Sequence, residues 1–386
     1  MKPELNHKPG IAEIQTAVER FNSRVDDAMR NKPPTKEWVR KAVRRQGADR
    51  CPVRLRRLSY DVILRYGDDL ADLFCEYPDD LYCAQAYELF IGYQAPGRAH
   101  PIDPLHALTQ SAQWTDEWGT GWAHAVGGVG ASPISHPLKE WSQLDEYLAG
   151  HVPDPRAPGR LDGALPALNM HGQTKYFSGQ THLSLFERMH CLRGMANAFE
   201  DFYVYPKETS RLLDALTEYY LEIVRAWGRL DNVDGLFMTD DWGTQTALMI
   251  SPDMWRKFFA GRYRRIGEEA HRCGLDLIFH SCGHVTEIIG DLIDAGVDVL
   301  DPLQPEAMDL KQIASKFGGH IAFFGGLSDQ RLVTMSPTEV HDEVHRSIDT
   351  MGRAFRNAYI VAPSNILTPE IPLENIRALF EACHNQ

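Results

Sequence analysis

The chain has 386 residues, 43% of them hydrophobic and 24% charged, with a net charge of -13. That is globular composition with length for one large core or two smaller ones, and the acidic balance argues against nucleic acid or an anionic membrane as the main partner. No apolar stretch is long enough to span a bilayer, and the N-terminus lacks the apolar core of a signal peptide. The seven cysteines show no framework spacing. Together these predict a cytoplasmic chain with reduced thiols, most of them small core residues.

Residues 1–35 read as an N-terminal extension, and 36–386 as a single domain. Cys51-Pro52-Val53-Arg54-Leu55 is a first predicted strand, and 81–83 a second. The stretch from about 94 to 161 is rich in Gly, Pro and Trp and has little helical period. It reads as a β-rich insertion over the mouth of the fold, with Trp114, Trp118, Trp122 and Trp141 as its packing. Residues 164–168 are taken as a third strand, with Glu187, Arg188 and Arg193 on the helix that follows.

The second half alternates more cleanly. Gly235-Leu236-Phe237-Met238-Thr239 is apolar and stops at Asp240-Asp241. Ser251-Pro252-Asp253 then opens a helix, with Ser as N-cap, Pro in the first turn and an acid for the dipole. It runs to about Arg272, and Gly274 suits its end. Strands follow at 275–280, 297–300, 320–324 and 358–361. Ser336-Pro337 opens another helix, and 373–383 is the last. Eight strands alternating with helices predict a parallel sheet closed into a (β/α)8 TIM barrel.

Such folds build their sites at the carboxyl ends of the strands. There stands His280-Ser281-Cys282, and imidazole with thiolate favours zinc over magnesium or calcium. Asp240 and Asp241 end another strand, where a carboxylate can accept hydrogen bonds from substrate or act as base. Asp241 lies later, in the loop over the mouth, and is the preferred member. Gln245 and His284 are candidates for the same pocket. Arg54 and Arg56 share one face of the first strand and could clamp an anionic group in bidentate fashion.

Several stretches, in their order and spacing, resemble the uroporphyrinogen decarboxylase superfamily. They are Asp116-Glu117-Trp118-Gly119, Phe186-Glu187-Arg188 with Leu192-Arg193-Gly194, Asp240-Asp241-Trp242-Gly243-Thr244-Gln245, His280-Ser281-Cys282-Gly283, Asp301-Pro302-Leu303-Gln304-Pro305 and Pro369-Glu370-Ile371-Pro372-Leu373-Glu374-Asn375. The resemblance implies the same barrel. Beside the decarboxylase, that superfamily holds zinc-dependent, corrinoid-linked methyltransferases, in which a His-x-Cys pair and a later Cys hold zinc and an acceptor thiol is methylated.

His280 and Cys282 match the pair. The later Cys should fall near Ser364-Asn365, where this chain has none; Asn365 is left as a substrate-binding candidate. Asp301, Gln304 or Glu306 could substitute as a ligand, with Gln304 the preferred one. The chain also lacks the decarboxylase's N-terminal Met-Arg-Gln-Ala-Gly-Arg signature.

The expected function is therefore methyl transfer to a small molecule through a zinc-activated thiolate. A corrinoid protein is the expected partner, and the chain is expected to be a homodimer. Metal-free decarboxylation of a carboxylated ring, and a non-catalytic ligand-binding barrel, are the alternatives.

Overall fold

The computed structural model describes residues 10–84, 110–125 and 130–386. Strand β1 is Leu81–Cys83, and the next three are β2 (Ala112–Thr115), β3 (Gly121–His124) and β4 (Ser132–Ser135). Six more follow: β5 (Tyr176–Thr181), β6 (Gly235–Thr239), β7 (Asp276–His280), β8 (Val299–Leu303), β9 (Ala322–Leu327) and β10 (Tyr359–Pro363). Seven of them form one curled parallel sheet in the order β1-β5-β6-β7-β8-β9-β10, with helices between successive strands. All residues of β6, β8, β9 and β10 are buried. A parallel strand covered on both faces reads as a continuous apolar run, which is why these elements are visible in the sequence.

The segment at 51–55 makes isolated bridges rather than a regular strand. Arg54 N donates to Val361 O at 3.0 Å, Val361 N to Pro52 O at 2.8 Å, and Asp80 N to Val53 O at 3.0 Å. The segment therefore touches β10 on one side and the residue before β1 on the other. At its end, Arg57 N turns back onto Leu55 O at 2.7 Å, which breaks the extended alternation.

The expected strand at 164–168 is not one. A 3-10 turn, Asp162–Ala164, leads into the helix Leu165–His171. Pro166 sits in the first turn, where its missing N–H costs nothing, and the buried Leu168 and His171 are three apart, a helical spacing. The strand of this unit is β5, Tyr176–Thr181. Gly179 is required there: a Cβ on it would lie 2.4 Å from the Trp227 indole, so the missing side chain lets the helix Pro206–Gly228 close onto the sheet.

Within the 94–161 stretch, residues 94–109 and 126–129 lie outside the described residues. The rest holds a separate antiparallel sheet, β2-β3-β4. It is fastened to the helix Leu185–Arg193 through buried Asp116, which accepts from Trp118 N, Thr120 N, the Trp122 indole and Arg188. Trp114 and Trp122 stack with ring centroids 6.4 Å apart, and Trp118 lies under the Arg188 guanidinium; both are packing.

Of the 1–35 extension, the helix Ile11–Asn31 buries Ile14, Val18, Phe21 and Val25 in the same core as the sheet's helices, and Met29 is buried as well. The next helix, Lys36–Val43, faces the amino ends of the strands. Lys36 and Arg40 pair with Asp234, Arg44 with Asp276, and Arg45 reaches Asp298 at 4.0 Å. These three acids precede or open β6, β7 and β8. Among the described residues, these pairs close the amino ends of the strands.

Candidate metal centre

Three side chains converge where β6 and β7 end. Asp241, His280 and Cys282 offer ligand atoms that all lie within 4.8 Å of one another. Cys282 Sγ is 3.4 Å from His280 Nε2, and Asp241 Oδ1 is 3.8 Å from the same nitrogen. Asp241 Oδ1 also accepts from Cys282 N at 2.8 Å, so one carboxylate spans the two loops. Those loops touch backbone to backbone. Gly243 N donates to Cys282 O at 3.1 Å and His284 N to Thr244 O at 2.7 Å. A Cβ on Gly283, whose φ is +81°, would sit 2.4 Å from Gly243 O.

His280 is held from behind. Its Nδ1 lies 2.5 Å from Asp301 Oδ2, and Asp301 Oδ1 accepts from Arg57 at 2.5 Å. Asp301 is wholly buried. Burial alone would raise its carboxyl, but Arg57 and His280 outweigh that and hold it below the usual carboxylate range. Burial alone would lower the His280 imidazole; Cys282 and Asp301 win and raise its proton affinity well above the usual value. His280 therefore sits in a field that favours positive charge, the condition a bound cation would meet.

Around the three donors lie further polar groups. The Glu187 carboxyl accepts from Thr239 Oγ1 at 2.9 Å. Burial pushes it well above the usual range, and Asp241 and Asp240 push the same way. Burial holds His182 down to about 3, with His280 adding to the effect. Burial, Arg188 and His136 hold His190 down to about 4.

The family model described as uroporphyrinogen decarboxylase (URO-D) matches residues 183–386, just over half of the chain. The chain belongs to the URO-D family. The matched region holds Glu187, Asp241, His280, Cys282 and Asp301. A methyltransferase from Methanosarcina mazei is similar in structure, with TM-score 0.63 and 16% identity, over 92% of this chain and 99% of that one. At that identity the likeness speaks to the fold. An N-acetyl-D-glucosamine-6-phosphate deacetylase from Mycobacterium smegmatis overlaps at TM-score 0.26 and 11% identity, over 62% of each chain, too poorly to bear on the fold. No curated protein matches the chain.

Within this URO-D fold the sequence-predicted residues part company. His280 and Cys282 come together, and Asp241 joins them as a third donor rather than standing apart as a base. Asp240 does not reach the cluster. It is buried and accepts from Phe186 N at 3.0 Å, from Glu187 N at 2.8 Å and from the Tyr263 hydroxyl. It therefore caps the helix Leu185–Arg193. Burial pushes its carboxyl up to about 7, with those three donors opposing the shift.

Gln304 accepts on its side-chain oxygen from Gly283 N, which shapes the loop after Cys282; it is not among the three converging donors. His284 Nδ1 lies 2.7 Å from Ala307 O, with Glu287 at 3.3 Å from Nε2. Gln245 is exposed, and so is Asn365, whose oxygen accepts from Ile366 N. Neither is drawn into the cluster.

The two arginines expected to clamp an anion are engaged elsewhere. Arg54 is buried against Asp79 at 2.7 Å, and Arg56 binds Asp26 and Asn22. The arginine that does reach the site is Arg57, through Asp301. Broken alternation after Leu55 puts it there, and regular alternation carried on from the predicted strand at 51–55 could not show it.

No helix among the described residues is long and apolar enough to cross a membrane.

Proposed function

We propose that this URO-D family member is a methyltransferase that works through a zinc-activated thiolate, with a corrinoid or another small methyl carrier as donor. The observation that carries the reading is the convergence of Asp241, His280 and Cys282 on one point at the carboxyl end of the sheet. Nitrogen, sulfur and carboxylate oxygen are zinc's ligand types, and three protein ligands with an open position are the pattern of catalytic zinc sites. The residues fit the metal in a further respect. The ring nitrogen of His280 away from the cluster is already occupied by Asp301, which is the usual outer partner of a zinc-bound histidine. Asp241 stands in for the later Cys that this chain lacks. Zinc bound there would lower the pKa of a coordinated acceptor thiol, so that the nucleophile exists at neutral pH.

The chain's own residues then have separable tasks. His280, Cys282 and Asp241 hold the metal. Asp301 keeps His280 in orientation. Glu187, whose carboxyl is pushed toward the protonated form by burial and by Asp241 and Asp240, stands beside the cluster to hydrogen-bond a heteroatom of the substrate. A corrinoid-carrying protein is the partner this reading calls for.

Decarboxylation of a polycarboxylate is the second reading, and the arginines weigh against it. Arg54, Arg56, Arg57 and Arg188 each pair with an aspartate of the chain.

The test is zinc content of protein purified without an affinity tag or chelator. About one zinc per chain is expected, with loss in both His280→Ala and Cys282→Ser. Protein that takes up no zinc when it is supplied, or mutants that keep it, would sink the assignment. Release of carbon dioxide from a carboxylated substrate by such metal-free protein would establish the second reading instead.

A further inference from the structure

We infer that Arg57 is a positioning residue for the metal centre: through Asp301 it fixes which nitrogen of His280 faces Cys282 and Asp241. The inference rests on the zinc reading for its consequence, and on the contacts of Arg57 for its mechanism.

Arg57 is delivered by the segment that lies between β10 and the residue before β1. Its position is set by three strands at once. One guanidinium nitrogen donates to Asp301 Oδ1 at 2.5 Å, on β8. The other donates to Pro363 O at 3.3 Å, the last residue of β10. The guanidinium carbon lies over the Phe324 ring of β9, 4.7 Å from its centroid. A planar fork with five donors can satisfy a carboxylate, a carbonyl and an aromatic face together, and an ammonium cannot. The side chain is only 15% exposed, and Asp301 is fully buried.

A guanidinium only donates, so the carboxylate it pairs with accepts on one oxygen and is placed to accept on the other. The contact at 2.5 Å between Asp301 Oδ2 and His280 Nδ1 therefore has one sense. Nδ1 carries the proton and donates it. Nε2 is then the nitrogen turned toward Cys282 Sγ at 3.4 Å and Asp241 at 3.8 Å, and it is the nitrogen whose lone pair a metal would take.

Without Arg57, Asp301 would be left buried with the imidazole as its one side-chain partner. With Oδ1 no longer tied to the guanidinium, the carboxylate could rotate away from Nδ1, or the ring itself could turn. Either change removes the ligand nitrogen without touching a ligand. Partners of this kind typically alter metal affinity by about 10–100-fold when removed.

The experiment compares wild type, Arg57→Gln and Arg57→Lys, each well below its melting temperature. Zinc affinity is read by competition with a chromophoric chelator. In parallel, nitrogen-15 NMR on the metal-free proteins reads the His280 Nδ1 proton. The expected result is a resolved, slowly exchanging Nδ1 proton in the wild type and its loss in Arg57→Gln. Zinc affinity should fall by about 10–100-fold in Arg57→Gln, with partial recovery of both in Arg57→Lys.

A role confined to stability would lower the melting temperature and leave both readouts alone. Wild-type zinc affinity together with an unchanged Nδ1 proton in Arg57→Gln would overturn the inference. If the wild type bound no zinc, the zinc reading would fall, and the NMR comparison would still decide whether Arg57 fixes the ring.

Discussion

Asp240→Ala is expected to cost about 3–5 kcal/mol of folding free energy. Asp241→Asn, one residue later, is expected to change stability by less than about 0.5 kcal/mol and to weaken zinc binding by about tenfold or more. The contrast follows from where β6 stops. Asp240 is fully buried and accepts from two backbone N–H groups at the start of the helix Leu185–Arg193, and from the Tyr263 hydroxyl. Alanine would leave all three buried donors without their acceptor, and each buried donor left unsatisfied costs about 1–3 kcal/mol. The total is a large part of the ~5–15 kcal/mol that holds a typical domain together.

Asp241 is 38% exposed at its side chain. Asparagine keeps the oxygen that accepts from Cys282 N and discards the charge, and a neutral amide is a poor zinc ligand. Urea denaturation and zinc content, measured on both variants, separate the roles. Wild-type stability in Asp240→Ala with lost activity would move Asp240 into the chemistry. An equal loss of stability in Asp241→Asn would make Asp241 a latch between loops rather than a ligand.

Sequence predicts structure here where chemistry and periodicity coincide. The apolar runs that form β6 to β10 carry their burial in composition, since a two-sided parallel strand has no polar face to disguise it. The His-x-Cys pair stands out because it directly follows such a run. The failures share a different cause. β5 contains Ser178, Gly179, Gln180 and Thr181, and its burial depends on Trp227 filling the space over Gly179, a contact made by a helix far along the chain. Residues 164–168 look apolar enough for a strand, but Pro166 and the three-residue spacing of Leu168 and His171 belong to a helix.

The arginines show the same limit in the site. Whether Arg54 binds substrate or Asp79 is decided by which acid the fold brings alongside. The alternation rule that pairs Arg54 with Arg56 fails once Arg57 N folds back on Leu55 O. Asp241 stands out in the sequence as a candidate from its place after β6. Its nearness to His280 and Cys282 does not, because the neighbouring of β6 and β7 is a tertiary fact.

Gly283→Ala is expected to lose about 2–4 kcal/mol of stability and most of the zinc affinity together. Gly283 has φ of +81°, a conformation that costs an L-residue about 1 kcal/mol. Steric overlap costs more. The new Cβ would lie 2.4 Å from Gly243 O and 2.6 Å from Thr244 O, both backbone atoms that no rotamer change can move. The two loops would have to part. Parting them breaks the Gly243 N to Cys282 O and His284 N to Thr244 O bonds, which are the fastenings that set Asp241 beside Cys282.

The coupling of the two losses is what makes the variant informative. Gly274→Ala is the control: it shares a positive φ of +77° but meets nothing within 4 Å, so it should lose only about 1 kcal/mol and leave zinc affinity unchanged. Melting temperature and zinc competition read on the pair decide the matter. If Gly283→Ala lost stability and kept wild-type zinc affinity, the backbone contact between the β6 and β7 loops would not be what assembles the ligands. The geometry of the centre would then have to come from Arg57 and Asp301 behind His280 alone.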